Sequence, residues 1–372
     1  MADKFRAAVI GSTGRGNYGH GLDVVWRDIA DAELVAVADD NPAGLAAALV
    51  RLKLTAGYTD YRKLLDEVKP DVVSIAPRWI DRHHEMAMAC LERGIHVYME
   101  KPFCRTLAEA DEIVDTCDRT HTKLVTAHQT AYSPRVDVAK KLIADGKIGD
   151  VLEYRGRGKE DRRGGGEDLW VLGTHIMGLI RIFGGDPLWC FGRVSQSGQP
   201  ITAANVTDGP EGIGLLAGDD VRAMYGMPDG TTAYFASRRH AGGHKARFGL
   251  QIFGTQGAIE IATGHMTPTV KYLPDPSWMS TSSGEGWLEV TTAGIGQPEP
   301  IPDGGLHGGN ILAINDLLAA VRENREPRGN AREARGNTQM IVAVFASQVA
   351  GGPVTLPLSD RGDPLAKLQA AH

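Results

Sequence analysis

Five short, uninterrupted apolar segments recur through the first 130 residues, and they constrain the fold more than any other feature of the sequence. Continuous apolar runs of this length are typical of parallel strands that are buried on both faces of a sheet. Residues 82–93 and 107–120, which lie between such runs, have helical periodicity. This alternation of strand and helix predicts right-handed crossovers and a doubly wound α/β sheet. The runs are Ala7–Ile10, Leu34–Ala38, Val72–Ala76, His96–Met99 and Leu124–Ala127.

After Asp150 the pattern changes to alternating apolar and polar residues, which is typical of antiparallel strands with one exposed face. The sequence therefore predicts two domains, a doubly wound α/β domain over 1–130 and an α+β domain with an open, largely antiparallel sheet over 131–372. The predicted elements of the second domain are strands over 221–225 and 231–237 around a hairpin turn at 227–230, a second turn at 254–257, helices over 310–322 and 331–350, and a closing strand over 353–358.

Composition allows a sizeable core and excludes one class of partner. The chain has 372 residues, of which 42% are apolar, and its formal net charge is −6. Acidic and basic residues are interspersed, so the sequence lacks the basic surface that binding to a phosphate backbone requires. We therefore expect no nucleic-acid partner.

Three further features of the sequence predict where the protein is located and whether it binds a metal. Residues 1–6 contain no apolar segment, and no stretch approaches the roughly 18 apolar residues that a membrane helix needs. The four cysteines have no CxxC spacing, which predicts reduced thiols rather than a disulfide scaffold. No histidine cluster has metal-ligand spacing. The sequence thus predicts a soluble cytoplasmic protein with no membrane partner and no metal site.

A glycine-rich segment follows the first predicted strand. Gly14, Gly16 and Gly19 fit the pattern GxGxxG, which is weak evidence alone because glycine makes up 46 of the 372 residues. Its context strengthens it, since an apolar strand precedes it and a helical stretch over 22–29 is predicted to follow. In such a segment backbone amides approach a pyrophosphate and a helix N-terminus adds partial positive charge. We therefore predict a dinucleotide site, lined here by Gly11, Ser12, Thr13, Gly14, Arg15 and Gly16.

Asp39 lies 20 residues after Gly19, at the end of the second predicted strand. A carboxylate at this position accepts hydrogen bonds from the adenosine ribose and repels the 2′-phosphate of NADP. Asp40 beside it adds to the repulsion. The sequence therefore predicts NAD as the cofactor in preference to NADP.

Glu100-Lys101-Pro102 directly follows the apolar run 96–99. Together with the glycine segment it resembles the glucose-fructose oxidoreductase and inositol dehydrogenase family, Gfo/Idh/MocA. The resemblance implies an N-terminal Rossmann domain, a C-terminal domain whose open sheet makes oligomer contacts, and hydride transfer to or from a sugar or cyclitol carbinol. Further matches, which extend the resemblance from about Phe5 to Leu358, are Cys90-Leu-Glu-Arg-Gly-Ile-His-Val97, Gly173-Thr-His175, Asn324-Arg-Glu-Pro327 and Val354-Thr-Leu-Pro357.

The resemblance assigns the chemistry to two residues. Lys101 matches the active-site lysine of the family, and His175 matches the histidine that exchanges the proton of the reacting hydroxyl. Removal of hydride from a carbinol requires that the hydroxyl proton also leaves, and a histidine suits that transfer near neutral pH. A lysine ammonium at the same oxygen stabilises the developing alkoxide charge.

The sequence departs from the family where aspartates commonly accompany this histidine. Val171 and Gly178 stand at the positions four residues before it and three residues after it. The carboxylate-rich segment that precedes the histidine is a candidate substitute, and we expect Glu167 or Asp168 to contact the imidazole or the substrate hydroxyls. The alternative is that this segment is a solvated loop of mixed charge.

The remaining predicted contacts lie in loops. Arg78–Asp81 resembles a two-residue expansion of the family's loop above the nicotinamide, and Ala131 precedes Tyr132 where the family often has arginine. Trp79 and Trp170 are candidates for stacking on a sugar, with burial in the core as the alternative. Predicted cofactor contacts beyond the glycine segment and Asp39 are Pro77, Arg78, Glu100, Lys101 and Gln129; predicted substrate contacts are Lys159, Glu167, Asp168, Trp170 and His175.

Three functions remain open at this point. The first is an NAD-dependent oxidoreductase that acts on a sugar, a cyclitol or a related polyol. The second is a hydrolase or lyase that holds NAD tightly and uses transient oxidation without net redox change. The third is a non-catalytic NAD-bound sensor, which the presence of both Lys101 and His175 disfavours. The resemblance also implies a homodimer or homotetramer that forms through the C-terminal sheet.

Overall fold

The computed structural model describes residues 4–242, 247–263, 268–279, 284–302 and 304–371, and these residues form two compact units. The first boundary follows Gln129, one residue before the predicted one. The units are not contiguous in sequence, because two later segments belong to unit 1. Unit 1 comprises Met1–Gln129, Pro210–Gly214 and Leu306–Thr338, and unit 2 comprises Thr130–Gly209, Leu215–Gly305 and Gln339–His372.

A parallel sheet forms the centre of unit 1, with the strands β1 (Phe5–Gly11), β2 (Ala32–Asp39), β3 (Gly57–Tyr58), β4 (Val72–Ile75), β5 (His96–Met99) and β6 (Leu124–Thr126). Five of them are the predicted apolar runs, and β3 is an addition that carries no apolar run. Their order in the sheet is β3-β2-β1-β4-β5-β6, which confirms the doubly wound Rossmann fold. The winding reverses between β1 and β4, so the carboxyl ends of these strands border the crevice in which such sheets bind ligands.

Helices join these strands, namely α1 (Pro42–Leu52), α2 (Tyr61–Val68), α3 (His83–Leu91) and α4 (Leu107–Thr120). Side chains of Asn41, Asp60 and Thr106 accept backbone N–H groups in the first turns of α1, α2 and α4. Such caps satisfy donors that have no partner within the helix. A short 3-10 turn, Ile80–Arg82, precedes α3.

The segment Leu306–Thr338 extends unit 1 beyond its edge strand β6. The N–H of Thr126 donates to the carbonyl of Gly329 at 3.2 Å, and Val125 forms an isolated bridge with Asn330. Ala331 and Ala334 are buried in the same apolar cluster as residues of β1 to β6. Backbone pairing and core burial therefore join this segment to the N-terminal sheet, although the sequence predicts it in the second domain.

A large, mostly antiparallel sheet forms unit 2. Its strands lie in the order β18-β17-β16-β15-β14-β7-β13-β12-β8-β19, with β9 beside β8, while β10 and β11 form a separate pair. These strands are β7 (Val151–Arg157), β8 (Trp189–Gln196), β9 (Gln199–Pro200), β10 (Thr207–Asp208), β11 (Leu215–Leu216), β12 (Asp220–Gly226), β13 (Thr232–Arg238), β14 (Gly249–Gly254), β15 (Gly257–Ala262), β16 (Val270–Leu273), β17 (Leu288–Thr291), β18 (Gly294–Ile295) and β19 (Val354–Thr355). Only β7 and β13 pair in parallel among these described strands. The open, largely antiparallel sheet and both predicted turns are confirmed.

The remaining helices are α5 (Pro134–Ala144), α6 (Gly166–Val171), α7 (Gly173–Gly184), α8 (Gly305–Glu323), α9 (Ala331–Ala350) and α10 (Pro364–Ala370). One face of the large sheet packs against α7 and the end of α9. A Cβ at Gly156 would lie 2.4 Å from Ile176, and one at Gly192 would lie 2.6 Å from the carbonyl oxygen of Val344. These strand glycines allow the helices to approach the sheet closely.

The four cysteines are free thiols. Burial raises the pKa of Cys90, Cys117 and Cys190 to about 12, so these thiols carry little nucleophilic thiolate at neutral pH.

Over the described ranges, no helix combines the length and apolar character needed to cross a bilayer.

Candidate functional site

The segment after β1 forms a turn instead of entering a helix. Gly14, Gly16 and Gly19 have φ angles of 91°, 92° and 58°, and Asn17 has a φ of 55°. Residues in this left-handed region do not continue a right-handed helix. The glycine segment itself is therefore not helical, and of the helical stretch predicted over 22–29 the structure forms the 3-10 turn Val24–Asp28. The prediction that a helix N-terminus faces the pyrophosphate is wrong, and the backbone amides of the turn are the donors that this segment offers.

The three glycines of the motif serve different purposes. A Cβ at Gly16 would lie 2.3 Å from the backbone nitrogen of Arg78, and one at Gly19 would lie 2.6 Å from the carbonyl oxygen of Ala76. These two glycines therefore let the turn pack against the chain after β4. Apart from Gly14 and its two chain neighbours, no described residue has an atom within 4 Å of the position that a Cβ at Gly14 would take. Gly14 thus leaves room for a phosphate group, and the turn fits a dinucleotide at the carboxyl end of β1.

Asp39, the predicted ribose acceptor, is completely buried at the end of β2. Its Oδ1 accepts the N–H groups of Thr13 and Asn41, both at 3.0 Å. Its Oδ2 accepts the hydroxyls of Thr13 at 2.7 Å and Tyr18 at 2.8 Å. Four donors use the hydrogen-bonding capacity of a carboxylate. Asp39 therefore holds the glycine turn in place, which differs from the accessible ribose acceptor that the sequence predicts.

Tyr18 packs against Gly11 and donates to Asp39, and no sequence motif predicted this role. Its ring occupies the space that a Cβ at Gly11 would need, at 2.3 Å. The guanidinium of Arg51 lies 4.6 Å from the ring centroid. Burial and the bond to Asp39 raise the pKa of the Tyr18 hydroxyl well above its ordinary value. The hydroxyl consequently remains a hydrogen-bond donor to Asp39.

Asp40 is the accessible acid at this strand end, with 46% of its side chain exposed. Its Oδ1 accepts the hydroxyl of Ser12 at 2.9 Å, and its Oδ2 accepts Arg82 at 3.1 Å. Each oxygen thus has one protein donor among the described residues and retains capacity for another. From the sequence, Asp40 was predicted only to add to the repulsion of a 2′-phosphate.

Glu100 is fully buried at the end of β5. Its carboxylate accepts the N–H of His20 at 3.0 Å and the N–H of Lys101 at 2.7 Å, and it also contacts Nδ1 of His20. Burial raises the pKa of this carboxyl, but the bonds from His20 and the charge of Lys101 outweigh burial and hold the pKa below its ordinary value. Glu100 is therefore an anion that fixes the backbone of Lys101, rather than an exposed cofactor contact.

His83 joins the two loops that contain Pro77 and Pro102. The ring is fully buried at the start of α3. Its Nδ1 lies 2.7 Å from the carbonyl oxygen of Pro102, and its Nε2 lies 2.7 Å from that of Pro77. One side chain thus connects the end of β4 with the Glu-Lys-Pro segment. The sequence contained a histidine pair here, but nothing in it distinguished His83 from its neighbour.

Gln129 is also part of an internal network rather than an exposed cofactor contact. Its side-chain amide donates to Oδ1 of Asn310 at 2.8 Å, and the same oxygen accepts the hydroxyl of Tyr98 at 2.7 Å. The amide of Asn310 donates to the carbonyl of His20 at 3.0 Å. Asn310 is completely buried and links α8 to β5 and to the glycine turn.

The expanded loop after β4 is held by charged and aromatic contacts within unit 1. The guanidinium of Arg15 lies 4.7 Å from the ring centroid of Trp79 and pairs with Asp81. Arg78 faces Glu211 at 3.8 Å. A Cβ at Gly212 would lie 2.8 Å from Asp81. The segment Pro210–Gly214 therefore covers this loop, and Trp79 stacks on an arginine of the chain itself.

In unit 2, His175 lies partly buried near the start of α7. Its backbone N–H donates to the carbonyl of Leu172 at 3.1 Å. Its ring meets that of Phe248 edge-on, with the centroids 6.3 Å apart. Val171, where the family commonly has aspartate, is 2% exposed and belongs to the core.

Asp168 does not orient this histidine in the structure. Its Oδ2 accepts the hydroxyl of Ser237 at 2.5 Å and the N–H of Glu160 at 2.9 Å. Its Oδ1 is buried and has no hydrogen-bond partner among the described residues, which excludes a direct bond to the imidazole. Burial raises the pKa of Asp168 despite these bonds. The predicted contact with His175 is therefore corrected, because Ser237 and the backbone of Glu160 hold this carboxylate.

The glycine-rich end of the loop before α6 is buried against neighbouring backbone. A Cβ at Gly164 would lie 2.3 Å from Arg239, and one at Gly166 would lie 2.3 Å from the carbonyl oxygen of Ala217. Trp170 is 5% exposed, so of its two predicted alternatives the structure supports burial in the core. Of the other predicted substrate residues, Glu167 is partly buried and Lys159 is exposed.

Within the described ranges, no three acidic, histidine or cysteine side chains form a metal-binding group.

The fold and the glycine turn define a dinucleotide-binding protein of the Rossmann class, and comparison with known families identifies it further. The model described as an oxidoreductase family with an NAD-binding Rossmann fold matches residues 5–128. The model of the GFO/IDH/MocA C-terminal domain matches residues 136–260. The chain belongs to the Gfo/Idh/MocA family, as the resemblance implied, and its first unit is an NAD-binding domain.

Several relatives of named activity are similar to the chain. A levoglucosan dehydrogenase of Pseudarthrobacter phenanthrenivorans is 28% identical over 60% of this chain and 63% of its own length. A D-apiose dehydrogenase of Paraburkholderia graminis is 28% identical over 95% of this chain and 90% of its own. A glycosyl hydrolase family 109 protein of Akkermansia muciniphila is 30% identical over 53% of this chain and 46% of its own. The first and third matches thus span less than two thirds of those relatives.

The fold is also that of solved structures. A levoglucosan dehydrogenase in complex with NADH and L-sorbose aligns with a TM-score of 0.77 and 21% identity, over 95% of this chain and 99% of the other. An NAD-binding oxidoreductase from Klebsiella pneumoniae aligns with a TM-score of 0.74 and 20% identity, over 96% and 100%. At this level of identity the likeness concerns the fold.

Proposed function

We propose that this protein is an NAD-dependent oxidoreductase that transfers a hydride between a carbinol of a sugar, cyclitol or related polyol and the nicotinamide. The observation that carries the proposal is the Glu100 network. A buried carboxylate fixes the backbone of Lys101 and places a negative charge beside it, at the carboxyl end of β5. A lysine whose backbone is fixed at this edge of a doubly wound sheet suits the stabilisation of a developing alkoxide.

His175 is proposed as the group that takes the hydroxyl proton. Support comes from its family position and from its partly exposed place in the first turns of α7. The edge contact with Phe248 restricts the plane of the ring. Asp168 and Val171 are both held in the interior of unit 2, so the substrate itself or Glu167 is proposed to hydrogen-bond the ring during the reaction.

The proposal is tested by a screen of anhydrosugars, pentoses, hexoses and cyclitols for reduction of added NAD, followed at 340 nm. We expect at least one polyol class to be oxidised with saturation kinetics. The matched control is the double variant Lys101→Ala/His175→Ala, which removes both proposed catalytic groups. Turnover that persists in the control would show that the activity belongs to another site or to a contaminant.

An NAD-retaining glycoside hydrolase or lyase is the second candidate. Two observations favour it: the 30% identity to a glycosyl hydrolase family 109 protein, and the buried Val171 where dehydrogenases of the family commonly have aspartate. The two functions differ in what happens to the cofactor. A hydrolase of this kind would retain NAD through dialysis and act on a glycoside without net NADH formation. A dehydrogenase would exchange NAD and accumulate NADH.

The exposed face of the large sheet is the proposed self-association surface. Phe191, Met224, Tyr234 and Arg155 are consecutive cross-strand neighbours on β8, β12, β13 and β7. Phe191 and Tyr234 are 44% and 38% exposed, although both lie in the middle of a sheet. Large apolar side chains exposed in this way mark interfaces. We propose that a second copy of the chain covers this face, which gives a homodimer.

We expect Phe191→Glu to convert the dimer to a monomer at micromolar concentration, because a desolvated charge opposite a second copy costs several kcal/mol. Light scattering after size exclusion measures the mass. Val50→Glu is the control, since Val50 is 81% exposed on α1 of unit 1. A wild-type mass equal to one chain, or an unchanged mass in Phe191→Glu, would contradict the proposed surface.

A further inference from the structure

A short segment of unit 1 is flanked on both sides by residues of unit 2. This segment, Pro210–Gly214, is called the strap below. The residues on either side of it pair as β10 and β11, with Thr207 opposite Leu216 and Asp208 opposite Leu215. The strap is therefore a loop whose two ends are held together by backbone pairing.

The backbone of the strap turns sharply. Glu211, Gly212 and Gly214 have φ angles of 55°, 70° and 89°, which lie in the left-handed region. Ile213, between the two glycines, is buried. The strap is thus an ordered turn that one buried side chain anchors.

Arg78, in the loop after β4, contacts both the glycine turn and the strap. Gly16 packs against its backbone, since a Cβ at Gly16 would lie 2.3 Å from the nitrogen of Arg78. Its guanidinium faces the carboxylate of Glu211 at 3.8 Å. A dinucleotide in this class of sheet lies at the carboxyl ends of β1 and β4, so the two loops that meet at Arg78 border its binding site.

Asp81 makes a second connection between the same three segments. Its Oδ2 accepts the guanidinium of Arg15 in the glycine turn, and its Cβ would lie 2.8 Å from a Cβ at Gly212. Its Oδ1 is buried and has no hydrogen-bond partner among the described residues. A buried polar atom without a partner is unfavourable, and water would satisfy it. Packing of the strap on Asp81 therefore opposes itself in part, because movement of the strap would let water reach this oxygen.

We propose that the strap holds the loop after β4 closed and thereby limits the rate at which NAD enters and leaves the site. While the strap is in place, Glu211 and Gly212 keep the loop against the glycine turn. When the strap moves away, Arg78 and Asp81 lose these contacts, and the loop can separate from the turn to admit or release the dinucleotide. Because the same movement precedes binding and release, it affects both rates more than it affects the affinity.

The experiment measures the rate of NADH release by stopped flow, in which excess NAD displaces NADH and the change in NADH fluorescence is followed. Gly212→Ala should raise the release rate at least about tenfold, because the added Cβ does not fit beside Asp81 and displaces the strap. Glu211→Gln should raise it about two- to fivefold, in keeping with the loss of one exposed ion pair. In both variants the dissociation constant of NADH should change less than the release rate.

Gly198→Ala is the matched control. Gly198 also has a positive φ, of 80°, but apart from its chain neighbours no described residue has an atom within 4 Å of the position that its Cβ would take. The substitution therefore introduces similar backbone strain without displacing the strap, and the release rate should stay within about twofold of wild type.

A wild-type release rate in folded Gly212→Ala would overturn the proposal. If the melting curve shows that Gly212→Ala does not fold, a wild-type release rate in Glu211→Gln would overturn it instead. The proposal rests on NAD binding by unit 1 and not on the substrate. A missing polyol activity, together with NADH release that Gly212→Ala accelerates, would therefore refute only the proposed reaction, whereas a wild type that binds no NADH would overturn both.

Discussion

Replacement of either Lys101 or His175 by alanine is expected to lower kcat by about 10³-fold or more while NADH affinity stays within about threefold. General acid–base catalysis contributes about 10² to 10⁴-fold, and a donor that stabilises a developing oxyanion contributes about 10² to 10³-fold. Neither side chain belongs to the glycine turn or to the acids at the end of β2. The loss should therefore appear in turnover and not in cofactor binding.

Two substitutions of the same residue types provide the controls for this experiment. Lys141→Ala removes a lysine of α5 that is 74% exposed, and His84→Ala removes the histidine that pairs with Glu112 on the surface. Both should retain wild-type kcat. Near-normal turnover in Lys101→Ala or His175→Ala would remove that residue from the mechanism. Loss of NADH binding in both would show that they support the fold of the site instead.

Asn310→Leu is expected to destabilise unit 1 by about 3 kcal/mol or more. The substitution removes an acceptor for the buried side chains of Tyr98 and Gln129 and a donor to the backbone carbonyl of His20. Each buried polar group that loses its partner costs about 1 to 3 kcal/mol. Denaturation followed by tryptophan fluorescence measures the loss, and hydrogen exchange of β5 and α8 locates it.

Two further variants test whether the loss of stability comes from the Asn310 hydrogen bonds or from any substitution in α8. Gln129→Leu removes one of the three bonds and should cost about 1 kcal/mol, and its effect should not add to that of Asn310→Leu. Leu312→Ala alters a side chain of α8 that is 39% exposed and should cost less than about 1 kcal/mol. Equal losses in Asn310→Leu and Leu312→Ala would mean that the network contributes no more than any other part of the helix.

The elements of both units were predictable where the signal is local. Buried parallel strands appear as continuous apolar runs and exposed antiparallel strands as alternation, so β1, β2, β4, β5, β6 and the β12–β13 hairpin follow from short windows of sequence. The spacing of its glycines predicted the position of the glycine turn, but it did not predict the conformation of the turn. Five residues with positive φ between Gly14 and Gly21 keep this segment out of a helix, and Gly16 and Gly19 pack closely against the chain after β4.

The sequence by itself determined the fold class, the family and the NAD-binding domain, because apolar periodicity and short motifs are properties of neighbouring residues. Tertiary structure alone decided which of the predicted site residues are buried and which are accessible. Asp39 and Asp40 are adjacent and chemically identical, yet Thr13 and Tyr18 bury one while Ser12 and Arg82 leave the other half exposed. The engagement of Asp168 by Ser237 was equally invisible in the sequence, and for Trp170 the sequence left stacking and burial as alternatives. Access and hydrogen-bond saturation depend on partners distant in the chain, and packing brings those partners together only in the folded molecule.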